Sequence, residues 1–365
     1  MTKRVLLIGG YGNFGAHIAQ RLAPEPGLTL IIAGRSREKA KEAAARLGCD
    51  WARVDIEDGL DRSLEELRPD ILIHTSGPFQ TQGYDVAEAC IRNGVHYLDL
   101  ADARDFVLGI DRLDEAAKAA GVLVVSGAST VPGLTSAVLA KQSRAFRQIA
   151  SVDFGIATAQ KTNRGLATVE AVLGYAGKPF TTLSEGAMRP VFGWQGLSWR
   201  KMPSLGRRLL GNCDIPDLEL FPRYYPTLKS VRFRAGLELP ILHFGLWTMT
   251  WLVRWGLIGN LRNLAPILLR MSNLLNVFGT DDSGFFMETA GVTAEGELRK
   301  AVFELTARAG DGLMIPCTPA IALCLGLGAG KVTQRGAMPC MGLLELDDIL
   351  AELAKLRIEW EERVN

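Results

Sequence analysis

The strongest constraint on this chain lies near its amino terminus, where Arg4-Val5-Leu6-Leu7-Ile8-Gly9 runs directly into Gly10-Tyr11-Gly12-Asn13-Phe14-Gly15. A short unbroken apolar run reads as a parallel strand buried on both faces. Glycines at 10, 12 and 15 then make G-x-G-x-x-G, and His17 to Leu22 follows as an amphipathic helix. The first glycine permits a tight turn, the second lets backbone approach a pyrophosphate, and the third lets the helix pack closely on the strand. Helix amides then face the phosphates. The stretch predicts a dinucleotide-binding βαβ unit, with Gly10, Gly12, Asn13, Phe14 and Gly15 around the pyrophosphate.

A second strand, Leu28 to Ala33, ends in Gly34-Arg35-Ser36. An NAD enzyme usually places a carboxylate there to bond the ribose 2′-hydroxyl. Arg35 instead suits a 2′-phosphate and can stack on adenine, with Ser36 adding a hydroxyl, so NADP is expected rather than NAD. Arg37 to Leu47 reads as a helix, Ala52 to Asp55 as a third strand, and Asp55-Ile56 falls where adenine would sit.

The alternation continues through a fourth strand, Asp70 to Thr75, closing in Ser76-Gly77-Pro78-Phe79. The carboxyl end of such a strand points into the crevice where an open α/β sheet holds its ligand, so these four residues are expected near the nicotinamide. His74, inside the apolar run, reads as a core residue. Helix Tyr84 to Asn93, strand His96 to Leu100, helix Leu113 to Ala120 and strand Val122 to Val125 complete the rhythm. Asp99 is the best-placed carboxylate for a proton relay, with Tyr97 on the same strand. Ser129 and Thr130 are further candidates to bond substrate or nicotinamide across an interdomain cleft.

The ordered set Gly9 to Gly15, Gly34-Arg35-Ser36, Ser76 to Phe79, Gly94 to Leu100 and Gly127 to Thr135 resembles the saccharopine dehydrogenase-like NADP-binding proteins. The likeness covers roughly the first 140 residues. It implies a Rossmann-type doubly wound parallel sheet, with an α+β second domain inserted after Pro132-Gly133. It also implies return of the chain to the first domain at its end. The expected division is 1–145, 146–311 for the insert and its substrate or dimerisation role, and 312–365 for carboxyl-terminal helices, including Ile315 to Leu327 and a closing helix from Leu346 to Glu362. In the lysine-pathway enzymes of that family an Asp commonly precedes the Pro-Gly pair. Val131 stands there in this chain, which points away from saccharopine as substrate and toward a bacterial-type member rather than a true lysine-pathway enzyme.

Composition closes off other classes. The 41 basic and 40 acidic side chains nearly cancel, leaving no field to gather nucleic acid. Six scattered cysteines form no metal-ligand or disulfide spacing, so no metal site and a reducing, cytoplasmic setting are expected. Met1-Thr2-Lys3-Arg4 leads directly into the first strand with no apolar run, so export is not expected. Tyr225 to Lys229 has Y-x-x-x-K spacing, but Pro226 inside it breaks the helix that such a pair needs.

A mean hydropathy of +0.12 needs a location. It lies in 240–278, where Trp247, Trp251 and Trp255 fall at i, i+4 and i+8 on one helix face. Twelve basic and four acidic residues between 187 and 278 give that window a net +8. Two readings stand: core or homodimer packing, and peripheral contact with anionic lipid. The chain therefore reads as an NADP-dependent oxidoreductase acting on a small molecule, either an amino-acid-derived imine or a hydrophobic carbonyl or enoyl compound. The alternative is a non-catalytic nucleotide-binding protein associated with membrane lipid.

Overall fold

The computed structural model describes residues 2–365. Among the described residues two compact units emerge, one of residues 2–137 and 313–352, the other of 138–312 and 353–365.

The first unit is built on a seven-stranded, all-parallel sheet. Six of its strands are β1 (Lys3–Ile8), β2 (Leu28–Gly34), β3 (Asp50–Arg53), β4 (Ile71–His74), β5 (His96–Asp99) and β6 (Leu123–Ser126), and the seventh comes from the end of the chain. Between them run α1 (Gly15–Leu22), α2 (Arg37–Leu47), α3 (Leu60–Leu67), α4 (Asp85–Arg92), α5 (Arg104–Leu108) and α6 (Asp114–Ala119). The spatial order β3-β2-β1-β4-β5-β6 is that of a doubly wound dinucleotide fold, reversing beside β1 and β4. Both faces are covered, so β1 and β4 are apolar almost throughout, as a parallel sheet between helix layers requires.

Helix α7 (Thr135–Ser143) carries the chain into the second unit. That unit holds β7 (Gln148–Ala157), α8 (Leu166–Tyr175), β8 (Pro179–Ser184), β9 (Ala187–Phe192), β10 (Ser198–Met202) and β11 (Gly206–Asn212). It continues with α9 (Asp217–Tyr224), β12 (Ser230–Gly236), α10 (Pro240–Arg254), α11 (Ala265–Leu274), β13 (Ser283–Val292) and β14 (Leu298–Ala307). Its main sheet is mixed, with β7 parallel to β12 and antiparallel to β13. Alternate side chains of these strands form the core: Phe154 packs on Phe221 and Phe233 at ring separations of 5.4 and 5.0 Å.

The chain then returns to the first unit with α12 (Thr318–Gly328), the strand β15 (Gly336–Pro339) and α13 (Leu346–Leu353). Ile321, Leu323 and Leu327 of α12 join Val5, Leu7, Ile18 and Ile32 in one core. The segment Asp311–Gly328 is long and apolar enough to cross a membrane by length and composition, but half of it is buried within the fold.

Two features correct the sequence reading. The closing helix expected to reach Glu362 stops at Leu353, and Ile358–Val364 becomes β16, antiparallel to β14 in the second unit's sheet. Local alternation and an available sheet edge outweigh helix propensity there. Strand β15, parallel to β6, was not foreseen, because a four-residue run containing Gly336 and Pro339 carries little strand signal.

Candidate functional site

At the carboxyl edge of β1 the glycine-rich turn is fixed by backbone approach. A β-carbon on Gly15 would overlap the carbonyl oxygen of Gly9 and stand 2.8 Å from Gly10 Cα, so the first turn of α1 can lie this close only with glycine. Gly9 has φ +79°, and a β-carbon there would meet Thr75 Oγ1 and Ser76 Oγ at 2.6 and 2.7 Å. Gly10 is enclosed by Leu7 and Ile32. Gly12 is exposed, and a β-carbon there would approach only the Gly9 carbonyl oxygen, at 3.0 Å. Asn13 and Phe14 are half-buried beside it, and the Cys317 thiol donates to the Phe14 carbonyl at 3.5 Å.

The turn also reaches the end of β2. A β-carbon on Gly34 would run into the Tyr11 ring, and the Ser36 N–H donates to the Tyr11 hydroxyl at 3.1 Å. The Ser36 hydroxyl accepts the Lys39 N–H at 3.3 Å as the N-cap of α2, so it serves the helix. Arg35 is exposed. Arg53 lies beside it, its Nε donating to the Arg35 carbonyl at 3.4 Å, and Arg37 stacks over Trp51 at 5.3 Å. Sequence reading missed Arg53 and Tyr11; an arginine ending β3 beside the end of β2 was the available signal. Asp55 and Ile56 are half-buried just beyond β3, with the Asp55 carboxylate accepting the Glu57 N–H at 3.2 Å in a local turn.

Beyond β4, Thr75 Oγ1 donates to the Ile8 carbonyl at 2.9 Å, joining the two strand ends at the order reversal. The Gln82 amide donates to the Ser76 carbonyl at 2.7 Å and to that of Pro78 at 3.4 Å, holding the Ser76-Gly77-Pro78 loop. Ser76 is half-buried and Gly77 exposed. Phe79 turns inward instead, packing on His74 at 5.1 Å and on Phe106 at 5.3 Å, because its apolar ring has a hydrophobic pocket beneath the loop.

The two residues expected to relay protons lie under this surface. Tyr97 is 1% exposed, and its hydroxyl meets His74 Nδ1 at 3.2 Å. Asp99 is fully buried, and its Oδ1 accepts the N–H groups of Ala101 and Gly127 at 2.9 and 2.8 Å and the Ser126 hydroxyl at 3.0 Å. Burial pushes the Asp99 carboxyl up to about 6 against these bonds, and holds the His74 imidazole down at about 4 and therefore neutral. His96 is at the opposite end of β5, where its Nδ1 accepts the Leu123 N–H at 2.9 Å. Ser129 is buried and Thr130 half-buried in the Val131-Pro132 turn. Among the described residues no His, Cys, Asp and Glu cluster forms a metal site.

Residues 5–125 match the saccharopine dehydrogenase NADP binding domain family. They are such a domain.

Curated relatives share this domain over limited lengths. A trans-acting enoyl reductase of Mycobacterium leprae is 28% identical over 137 residues, 35% of this chain and 33% of the relative. A lipid droplet localized protein of Caenorhabditis elegans is 30% identical over 135 residues, 33% of this chain and 32% of the relative. The matches thus span about a third of these relatives' lengths. Among solved structures, saccharopine dehydrogenase (L-Glu forming) from Saccharomyces cerevisiae aligns over 100% of both chains with a TM-score of 0.73 at 14% identity. Homospermidine synthase from Legionella pneumophila, in complex with NAD, aligns over 100% of this chain and 92% of its own with a TM-score of 0.63 at 10% identity. At these identities the likeness is one of fold: the NADP-binding domain is followed by the same kind of second unit.

Proposed function

We propose that the protein is an NADP-dependent oxidoreductase acting on a small hydrophobic carbonyl or enoyl compound. The observation that carries this reading is the pairing of the Gly9–Gly15 turn, which no β-carbon could fit at Gly15, with an exposed Arg35 where an NAD enzyme would hold a carboxylate. Gly10, Gly12, Asn13, Phe14 and Gly15 would take the pyrophosphate. Arg35, with Arg53 beside it, would take the 2′-phosphate, and Asp55-Ile56 would border adenine. Ser36 contributes by capping α2 and so fixing the loop that carries Arg35. Ser76, Gly77 and Pro78 would border the nicotinamide, with Phe79 supporting them from below. When bound, the coenzyme supplies or accepts the hydride.

Tyr97 and Asp99 are positioning residues in this scheme. Asp99 ties the end of β5 to the segment after β6, and Tyr97 and His74 fill the space beneath the Gly77-Pro78 loop. The enoyl alternative draws support from the mycobacterial relatives named for that activity, and the amino-acid-derived imine remains the competing substrate class. Transfer of label from reduced, isotopically labelled NADPH to enoyl, carbonyl and imine panels tests the proposal. NADPH binding with no transfer to any of them would remove the enzymatic reading.

A second reading concerns where the protein works. The second unit exposes Ile241, Leu257, Leu274, Val277 and Phe278 at 69–77%, and a relative is named for lipid droplets. We infer association with a lipid surface, tested by flotation of the full chain with vesicles.

A further inference from the structure

Most surface helices bury an apolar stripe and show water a polar one. Helix α11 buries Ala265 and half-buries Leu268 and Leu269, yet it also shows water an apolar stripe. Ile267, Met271 and Leu274, at i, i+4 and i+7, point outward with exposures of 56, 56 and 77%. Ser272, and Asn276 just beyond the helix, face the protein, while Arg270 and Asn273 are exposed beside the stripe. Gln160, 1% exposed, donates through its amide to the Ser272 carbonyl at 2.7 Å and to Asn276 Oδ1 at 3.0 Å, while Arg164 donates to Ser272 Oγ at 2.8 Å and to the Gln160 carbonyl at 2.9 Å.

This network sets the rotation of the helix about its axis. Turning the apolar stripe inward would leave buried amide and guanidinium donors without partners, at a cost of about 1–3 kcal/mol each. The fold therefore holds a contiguous apolar stripe toward the outside, continued by Val277 and Phe278.

Charge indicates what covers it. No Asp or Glu occurs anywhere in 239–279, whereas Arg254, Arg262 and Arg270 do. Arg270 is exposed on α11 itself. Lys161 is exposed as well, and its N–H donates to the Thr280 carbonyl just beyond Phe278. Four other bases of the 187–278 window are already committed: Arg200 to Glu288, Arg208 to Glu238, Arg232 and Arg234 to Asp153. Acids outside that window, Glu288, Asp153 and Glu170 at 3.8 Å from Arg262, thus offset part of the net +8, and the exposed Arg270 and Lys161 are the bases left near the apolar stripe of α11. An apolar stripe flanked by cations matches an anionic phospholipid surface, and ten residues are too few to span one.

We infer that α11 lies in the plane of an anionic phospholipid surface, with Ile267, Met271 and Leu274 in the acyl boundary and Arg270 at the headgroups. This deepens the lipid-association reading and rests on it. The Trp face of α10 is less suited: Trp247 and Trp251 are half-buried, meeting edge to face at 5.8 Å, and Arg254 lies over Trp251 while donating to Gln195.

The test is sedimentation of the full chain with phosphatidylcholine vesicles, with and without phosphatidylglycerol. It compares wild type, the pair Ile267→Ser with Leu274→Ser, the α10 pair Phe244→Ser with Trp255→Ser, and Arg270→Glu. The α11 pair should lower partitioning by roughly tenfold or more, the α10 pair less, and Arg270→Glu should act only where phosphatidylglycerol is present. All of these side chains are exposed, so melting temperatures should be unchanged. If wild type binds and the α11 pair binds equally well, the role of α11 is overturned while lipid association stands. If wild type binds no vesicle, both fall. A solution dimer that the α11 pair dissolves, without vesicle binding, would make this face a contact between copies and overturn the proposal.

Discussion

Gly15 and Gly9 approach so closely that a β-carbon on the first would overlap the carbonyl oxygen of the second. The contact is backbone against backbone, so no rotamer change relieves it. The turn, the start of α1 and the end of β1 must move together if Gly15 gains a side chain.

Gly15→Ala should therefore cost about 1–3 kcal/mol of stability and weaken NADPH binding with it. Denaturant melting and fluorescence titration of NADPH measure the two effects. A variant with parental stability and parental NADPH affinity would show that the turn is not what sets this site.

Arg35→Ala should weaken NADPH by about tenfold to a hundredfold, the loss expected for a charge-assisted contact to phosphate, and leave NADH nearly unchanged. Arg53→Ala should show the same selectivity at smaller size, since Arg53 reaches the site beside the Arg35 carbonyl. Equal losses for both coenzymes would mean that Arg35 does not read the 2′-phosphate.

Asp99→Ala leaves the N–H groups of Ala101 and Gly127 and the Ser126 hydroxyl without their acceptor. Destabilisation of about 2 kcal/mol or more is expected. A variant that folds with full stability yet loses turnover would instead return Asp99 to a catalytic role.

His74 makes stability fall with acid. Its imidazole is held at about 4 by burial, against 6.5 when exposed, so below pH 6.5 the unfolded chain takes up a proton that the folded chain refuses until about pH 4. Stability present above pH 6.5 is lost as pH falls through that window. His96 and His243, also held at about 4, add to the slope. Asp99 opposes it between about pH 6 and 3.8, where the folded chain is the one that binds the proton. His74→Gln should melt lower than the parent at pH 7 but lose less between pH 7 and 5. An unchanged pH slope would remove His74 from this account.

Much of the first unit was legible because its signals are local. Strands β1, β2, β4 and β6, buried along most of their length, show as apolar runs, and Gly9 and Gly15 show as glycines because a β-carbon there would strike neighbouring atoms. The exposed place of Arg35 at the end of β2 was legible from the glycine before it. The roles of Ser36 and Phe79 were not, since capping of α2 and packing on Phe106 depend on neighbours that composition does not reveal. Neither was the depth of Tyr97 and Asp99: an alternating strand says which residues share a face, but not whether water reaches that face.

By itself the sequence determined the order of strand, glycine turn and helix at the start of the chain, and with it the parallel sheet and the kind of ligand its edge suits. Those follow from backbone sterics and from apolar runs a few residues long. Only the tertiary structure decided that Ile358–Val364 is a strand, that Arg53 stands beside Arg35, and that α11 turns Ile267 and Leu274 outward over Ser272 and Asn276. Each depends on partners distant in the chain, β14, the end of β2 and Gln160 with Arg164. A segment with two acceptable conformations or two acceptable faces takes the one that satisfies the buried polar groups it meets.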